Sequence, residues 1–141
     1  MVKKLLGVDY GDARTGLAYS DALGLTAVGW GNVKSYNPEK AAAEIAAKAE
    51  EIGAELIVIG KPLNMNGTAG PRAEAAMKFG EMIKAYTSVP ITFFDERRTT
   101  VQAHEILTET GVFGKKRKDT VDSLAAEIIL QSYMDMQKNS R

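Results

Sequence analysis

The chain has 141 residues, 45% of them hydrophobic and 26% charged, which suits one domain spanning residues 1–141 and leaves no length for a second. It has no cysteine, and no apolar run reaches the length of a signal-peptide core or membrane span, so disulfides, zinc–thiolate sites and secretion lose support and a cytoplasmic protein is expected. Lys plus Arg equals Asp plus Glu at 18 each, so affinity for nucleic acid has to come from a local patch rather than from net charge.

Residues 3–9 are a short apolar run ending on an acid, and residues 15–21 read as a second strand after a glycine-containing turn, so the two are expected to pair as a hairpin. A third strand is expected near residues 25–33, where Gly24, Gly29 and Gly31 favour a bulge. Asn37-Pro38 then offers an N-cap followed by proline at the first helical position, and the alanine-rich stretch 39–52 reads as a helix stopped by Gly53. Leu56-Ile57-Val58-Ile59 is an unbroken apolar run of the kind found in strands buried on both faces. Residues 60–70 are expected as a polar loop, and Pro71 opens a helix reaching about residue 87. Ile91-Thr92-Phe93-Phe94 is the final strand and runs directly into Asp95-Glu96. Thr99, with Gln102 three residues on, predicts a capped helix to about residue 110, and residues 119–136 predict a closing helix with Asp119 as its N-cap. Three antiparallel strands followed by right-handed βαβ units give an α/β fold, a five-stranded mixed sheet with helices on both faces.

In open sheets of this kind, sites form where central strands end. Asp9 ends the first strand and Asp95-Glu96 end the last; Asp122 falls in the first turn of the closing helix, where Ala125 and Ala126 let the helix lie close to the sheet and carry the acid to the same rim. Clustered carboxylates repel one another unless a hard cation neutralises them, and oxygen-only ligation without cysteine selects Mg²⁺ or Mn²⁺. Phosphodiester cleavage is the chemistry that needs such a cluster. Each acid also has a structural reading. Asp9 could simply end a strand beside a turn, although Gly7 and Gly11 around it suggest close approach of another backbone or a ligand. Asp95 could form a turn, and alternation lets only one of Asp95 and Glu96 share Asp9's face. Asp122 could serve the helix dipole.

These residues fall in blocks. Gly7-Val8-Asp9-Tyr10-Gly11 with Arg14-Thr15-Gly16, then Gly60-Lys61-Pro62-Leu63-Asn64-Met65-Asn66-Gly67, then Asp95-Glu96-Arg97-Arg98-Thr99-Thr100, then Asp122-Ser123-Leu124-Ala125-Ala126 follow one another at fixed spacing. In these blocks, and over nearly its whole length, the chain resembles the YqgF (RuvX-type) family, described as Holliday junction resolvases and as processing nucleases for precursor 16S ribosomal RNA. Lys61 stands where the family pattern has an apolar residue, and Arg98 where it has leucine. The resemblance implies an RNase H-like fold and an acidic triad on Asp9, Glu96 and Asp122, which would hold the catalytic Mg²⁺ or Mn²⁺, with Asp95 as a further candidate catalytic acid.

Substrate-binding candidates surround these acids. Lys115-Lys116-Arg117-Lys118 precedes Asp122, and Arg97-Arg98 follows Glu96; such groups draw in a phosphate backbone without reading bases, though basic runs are often only solvated surface. Arg14 belongs to the first block. The loop carrying Asn64 leads to a helix N-terminus, which either favours an anion or merely follows an ordinary loop. His104, the single histidine, reads better as a polar helix-face residue than as a proton carrier, and Phe93, Phe94 and Phe113 read better as core than as base-stacking platforms.

The expected partner is therefore structured RNA, with a small ribosomal subunit precursor as the specific choice and four-way junction DNA as the nearest rival; no membrane contact is expected, and the chain is expected to be a monomer or weak homodimer. A nucleic-acid-binding factor with little or no cleavage would keep the basic residues important and leave the acids dispensable. A phosphotransferase of the actin and sugar-kinase class would use a similar Asp-Tyr-Gly hairpin, but it needs two domains, which 141 residues cannot supply.

Overall fold

The computed structural model describes residues 3–99 and 117–139, apart from the side chains of 117–122 and 139. Strands β1 (Leu5–Asp9), β2 (Arg14–Ser20) and β3 (Ala27–Lys34) pair antiparallel in succession. β4 (Leu56–Lys61) then joins the other side of β1 in parallel, and β5 (Ile91–Asp95) joins β4 in parallel, giving the order β3-β2-β1-β4-β5. The helices are α1 (Pro38–Glu51), α2 (Pro71–Lys84) and α3 (Arg117–Asn139). No helix among the described residues is long and apolar enough to cross a membrane.

Local chemistry accounts for most of these elements. The Asn37 side-chain oxygen accepts from the backbone N–H of Glu39 at 3.0 Å and of Lys40 at 3.3 Å, satisfying donors that the first turn of α1 leaves free. Ala41, Ala42, Ile45, Ala46 and Ala49 form the buried stripe of α1, at the spacing that brings side chains to one helical face. Strand alternation then sorts the core into two layers. Leu6, Val8, Leu17, Ile57 and Ile59 pack with α1 and α2, while Leu5, Ala18, Ala27, Val58 and Phe94 pack with Ala126, Ile129, Leu130 and Met134 of α3. The β4 run is buried on both faces, as its unbroken hydrophobicity requires. Gln131 of α3 secures the start of β3: its Oε1 accepts from the Ala27 N–H at 2.8 Å and its Nε2 donates to the Leu25 carbonyl at 3.0 Å.

The expected bulge is present as a register shift in the β2–β3 pairing between Gly16 and Ala18. Three boundaries differ from expectation. β4 continues through Gly60 and Lys61, two residues into the expected loop, because these pair with Phe94 and Asp95 of β5. Helix α2 stops at Lys84, and a single 3-10 turn, Glu96–Arg98, follows β5. Helix α3 is described from Arg117, so Asp119 lies inside it and is not the N-cap, because the backbone is already helical two residues earlier. The expected helix over 99–110, with His104, and also Phe113, Lys115 and Lys116, lie outside the described residues.

Helix α3 rests on β1 at a place that has no side chain. A Cβ on Gly7 would stand 2.8 Å from the Leu130 Cβ and 3.2 Å from the Ala126 carbonyl oxygen. Gly7→Ala is therefore expected to destabilise the fold by about 1–3 kcal/mol through overpacking, read as a lowered urea midpoint. A change below about 0.5 kcal/mol, the size of an ordinary surface substitution, would mean that α3 does not bear on β1.

Candidate active site

Alternation along β1 puts Leu5, Gly7 and Asp9 on the α3 face, and alternation along β5 puts Phe94 and then Glu96 on that same face. Register brings the two acids together. Val8 pairs with Ile59, so Asp9 lies one step further on, level with Gly60, and Gly60 in turn pairs with Phe94. The residue between Asp9 and Glu96 on this face is thus a glycine. A Cβ at Gly60 would stand 2.8 Å from Glu96 Oε2 and 2.5 Å from Ile129 Cδ1, so a side chain there would push both away.

The acids open onto a cleft of about 400 Å³ lined by Asp9, Gly60 and Glu96 at the strand ends and by Pro71, Arg72 and Ala75 of α2, among others. The Tyr10 ring stacks on Phe79 with centroids 4.3 Å apart, which fixes the end of β1 against α2. Both acids are perturbed. Burial pushes the Asp9 carboxyl above its ordinary value, and the Arg72 charge pulls the other way. Glu96 is raised by burial first and then by the Asp9 charge, with Arg72 again opposing. Two partly buried carboxylates within each other's field create a demand for positive charge. Among the described residues no third acid, histidine or cysteine completes a metal cage.

Asp122 lies in α3 one turn before Ala126, and its side chain, like those of Arg117 and Lys118, falls outside the described residues. Asp95 faces away from the pair of acids, while its charge still acts to raise Glu96. Its carboxylate takes an ion pair from Arg97 at 2.6 Å and accepts from the Arg97 backbone N–H at 3.0 Å, and the Arg97 guanidinium holds it below the ordinary carboxylate value. Arg97 donates there and, at 3.2 Å, to the Met65 carbonyl. It therefore ties the 62–70 loop to the end of β5. Asn64 is likewise engaged inside that loop, donating from Nδ2 to Thr68 Oγ1 at 3.0 Å. Arg98 is exposed just beyond Glu96, and Arg14 is exposed at the same end of the sheet, paired in register with Lys34.

Arg72 is absent from the residues expected on sequence. The available signal was a basic residue in the first turn of a helix, where the dipole opposes it by about 0.3–1 kcal/mol.

The fold has solved counterparts. A structure of T. thermophilus RuvC in complex with Holliday junction substrate matches with a TM-score of 0.58 at 18% identity, covering 96% of each chain. The Fowlpox virus resolvase in complex with Holliday junction DNA matches with a TM-score of 0.56 at 13% identity, covering 95% of this chain and 98% of that one. At such identities the likeness concerns architecture alone: this is an α/β protein of the RNase H-like fold that RuvC-type resolvases share. The sequence carries the relationship further. The family model RuvX, described as "Holliday junction resolvase", matches residues 3–136. A Clostridium beijerinckii protein named "Putative pre-16S rRNA nuclease" is 47% identical over 133 residues, covering 94% of this chain and 96% of that one. A Clostridioides difficile protein of the same name is 44% identical over 137 residues, covering 97% of each. The chain belongs to the RuvX family, and with it to the nucleases, hydrolases of phosphodiester bonds.

The raised acids set a pH dependence in chelator. A carboxyl that binds its proton more tightly folded than unfolded costs no stability below its ordinary value, 3.8 for Asp9 and 4.5 for Glu96, and costs progressively more as pH rises through the raised folded value. In chelator Asp9→Asn is therefore expected to melt higher than wild type at about pH 7 and at the same temperature near about pH 3. An Asn variant less stable at pH 7 would identify Asp9 as a structural acceptor of backbone hydrogen bonds. For the loop, Arg97→Ala is expected to speed amide exchange at residues 64–68 at least tenfold while leaving β4 protected; unchanged exchange would show that the clamp does not hold the loop.

Proposed function

We propose that the chain is a metal-dependent endonuclease of structured RNA that trims the 5′ end of precursor 16S rRNA, with Asp9, Glu96 and Asp122 as the acids that hold Mg²⁺ or Mn²⁺. The observation that carries this reading is the pair Asp9–Glu96, set side by side in a cleft with a glycine between them. The donors that line the cleft are carboxylate oxygens, the set that Mg²⁺ and Mn²⁺ prefer. Such a cation, when bound, supplies the charge that activates water and stabilises the leaving oxygen. The backbone of α3 supports Asp122 as the third acid. From Gly7, Asp9 lies about 6.6 Å along β1, and from Ala126, which rests on Gly7, Asp122 lies about 6 Å back along α3, so the two backbones come level.

The protein's own residues do the positioning. Burial on the α3 face keeps Asp9 and Glu96 from turning out to solvent, Tyr10 on Phe79 holds the strand end still, and Arg97 with Asp95 keeps the 62–70 loop against the cleft. Precursor 16S rRNA as substrate rests on the names of the relatives, and a cytoplasmic setting accords with the absence of cysteine. The second reading, cleavage of four-way DNA junctions, is favoured by the family description and by the RuvC-like architecture.

Asp9→Asn, Glu96→Gln and Asp122→Asn are each expected to lower Mg²⁺-dependent cleavage at least about a hundredfold with substrate binding largely retained. The assay runs precursor 16S rRNA fragments and four-way DNA junctions in parallel under single-turnover conditions. Any two variants cleaving within threefold of wild type would refute the triad. Cleavage confined to junctions would establish the second reading.

A further inference from the structure

Arg72 occupies the second position of α2, exposed at the mouth of the cleft that Asp9 and Glu96 line. Among the described residues it makes no hydrogen bond and no ion pair, and its guanidinium carries five N–H donors. The packing of α2 does not ask for it: Ala73, Ala76, Phe79 and Ile83 bury the helix, and Pro71 starts it. A cation in this first turn also works against the helix dipole. Arg97, by contrast, is tied by an ion pair to Asp95 and a hydrogen bond to the Met65 carbonyl.

We infer that Arg72 is a substrate-binding residue of this cleft, donating its guanidinium fork to a non-bridging phosphate oxygen of the nucleic-acid strand that lies across Asp9 and Glu96. The inference rests on the nuclease reading above. Arg72, Asp9 and Glu96 line the same cleft of about 400 Å³, so a phosphate held by Arg72 lies beside the acids. A guanidinium is planar, always charged and matched to two phosphate oxygens, and it cannot ligate a metal. That gives the residue opposite effects on the two partners of the site. As a like charge it weakens binding of a divalent cation to the free protein, and as a donor it strengthens binding of the phosphate backbone.

The test uses the full chain, with Mn²⁺ alone and an RNA hairpin as probes. Arg72→Gln is expected to bind Mn²⁺ at least twofold more tightly by calorimetry. Its hairpin binding in chelator should be at least threefold weaker, with the slope of log affinity against log salt reduced by about one. KM for cleavage should rise more than kcat falls. Arg72→Lys keeps the charge and loses the fork, so it should restore wild-type Mn²⁺ affinity and only part of the RNA affinity. Hairpin affinity and KM within twofold of wild type in Arg72→Gln would overturn the role. So would weaker Mn²⁺ binding with unchanged RNA binding, which would make Arg72 a prop for the acids. Asp9→Asn run alongside separates the two levels: an inactive Asp9→Asn with a neutral Arg72→Gln overturns only the Arg72 role, whereas an active Asp9→Asn overturns the nuclease site itself.

Discussion

Helix α3 approaches the two central strands most closely where β1 and β4 carry no side chain. Gly7 receives the backbone of the helix at Ala126 and the Leu130 side chain, and Gly60 receives Ile129. These two glycines form a shallow track across the central strands, and the helix can lie in it because nothing projects. The same track serves the chemistry. At Gly60 the missing side chain leaves Asp9 and Glu96 facing each other across one strand, so a single steric condition sets both the seat of the helix and the spacing of the acids. Substitution at either glycine would disturb stability and site together.

Burial does the rest. Asp9 and Glu96 stand at the ends of parallel strands, half out of water, and each is held above its ordinary pKa first by that burial. The folded protein keeps two acids where one would be cheaper, a penalty characteristic of sites arranged to receive positive charge. The only described basic group whose field reaches both is Arg72, on the opposite wall of the cleft. Asp95, one residue from Glu96, shows the contrast: it faces the other way, is neutralised by Arg97, and acts in holding a loop.

Much of the frame was legible because it is local. Asn37-Pro38 announces the start of α1 through hydrogen-bond donors that need satisfying, and the unbroken run at 56–59 announces a strand covered on both faces. Asp9 was legible as the acid closing an apolar run. The choice between Asp95 and Glu96 was not, since alternation says only that one of them faces Asp9, and which one depends on the β4–β5 register, a contact between residues more than thirty apart. Gly60 read as the first residue of a loop because glycine is weak strand material; its pairing with Phe94 overrides that preference. Arg97 read as a phosphate ligand because a basic residue beside an acid has two possible partners, and only the fold shows that Asp95 claims it. Arg72 stood outside every run of charge, and its place at the cleft follows from where α2 begins relative to β1, which no local pattern records.

The central claim is that Asp9 and Glu96 share one divalent cation across Gly60. Anomalous diffraction from a crystal soaked in Mn²⁺ measures this directly. The account predicts a peak in the cleft, about 2 Å from a carboxylate oxygen of each acid. A peak elsewhere, or none at saturating Mn²⁺ with both carboxylates hydrogen-bonded to protein groups, would contradict it.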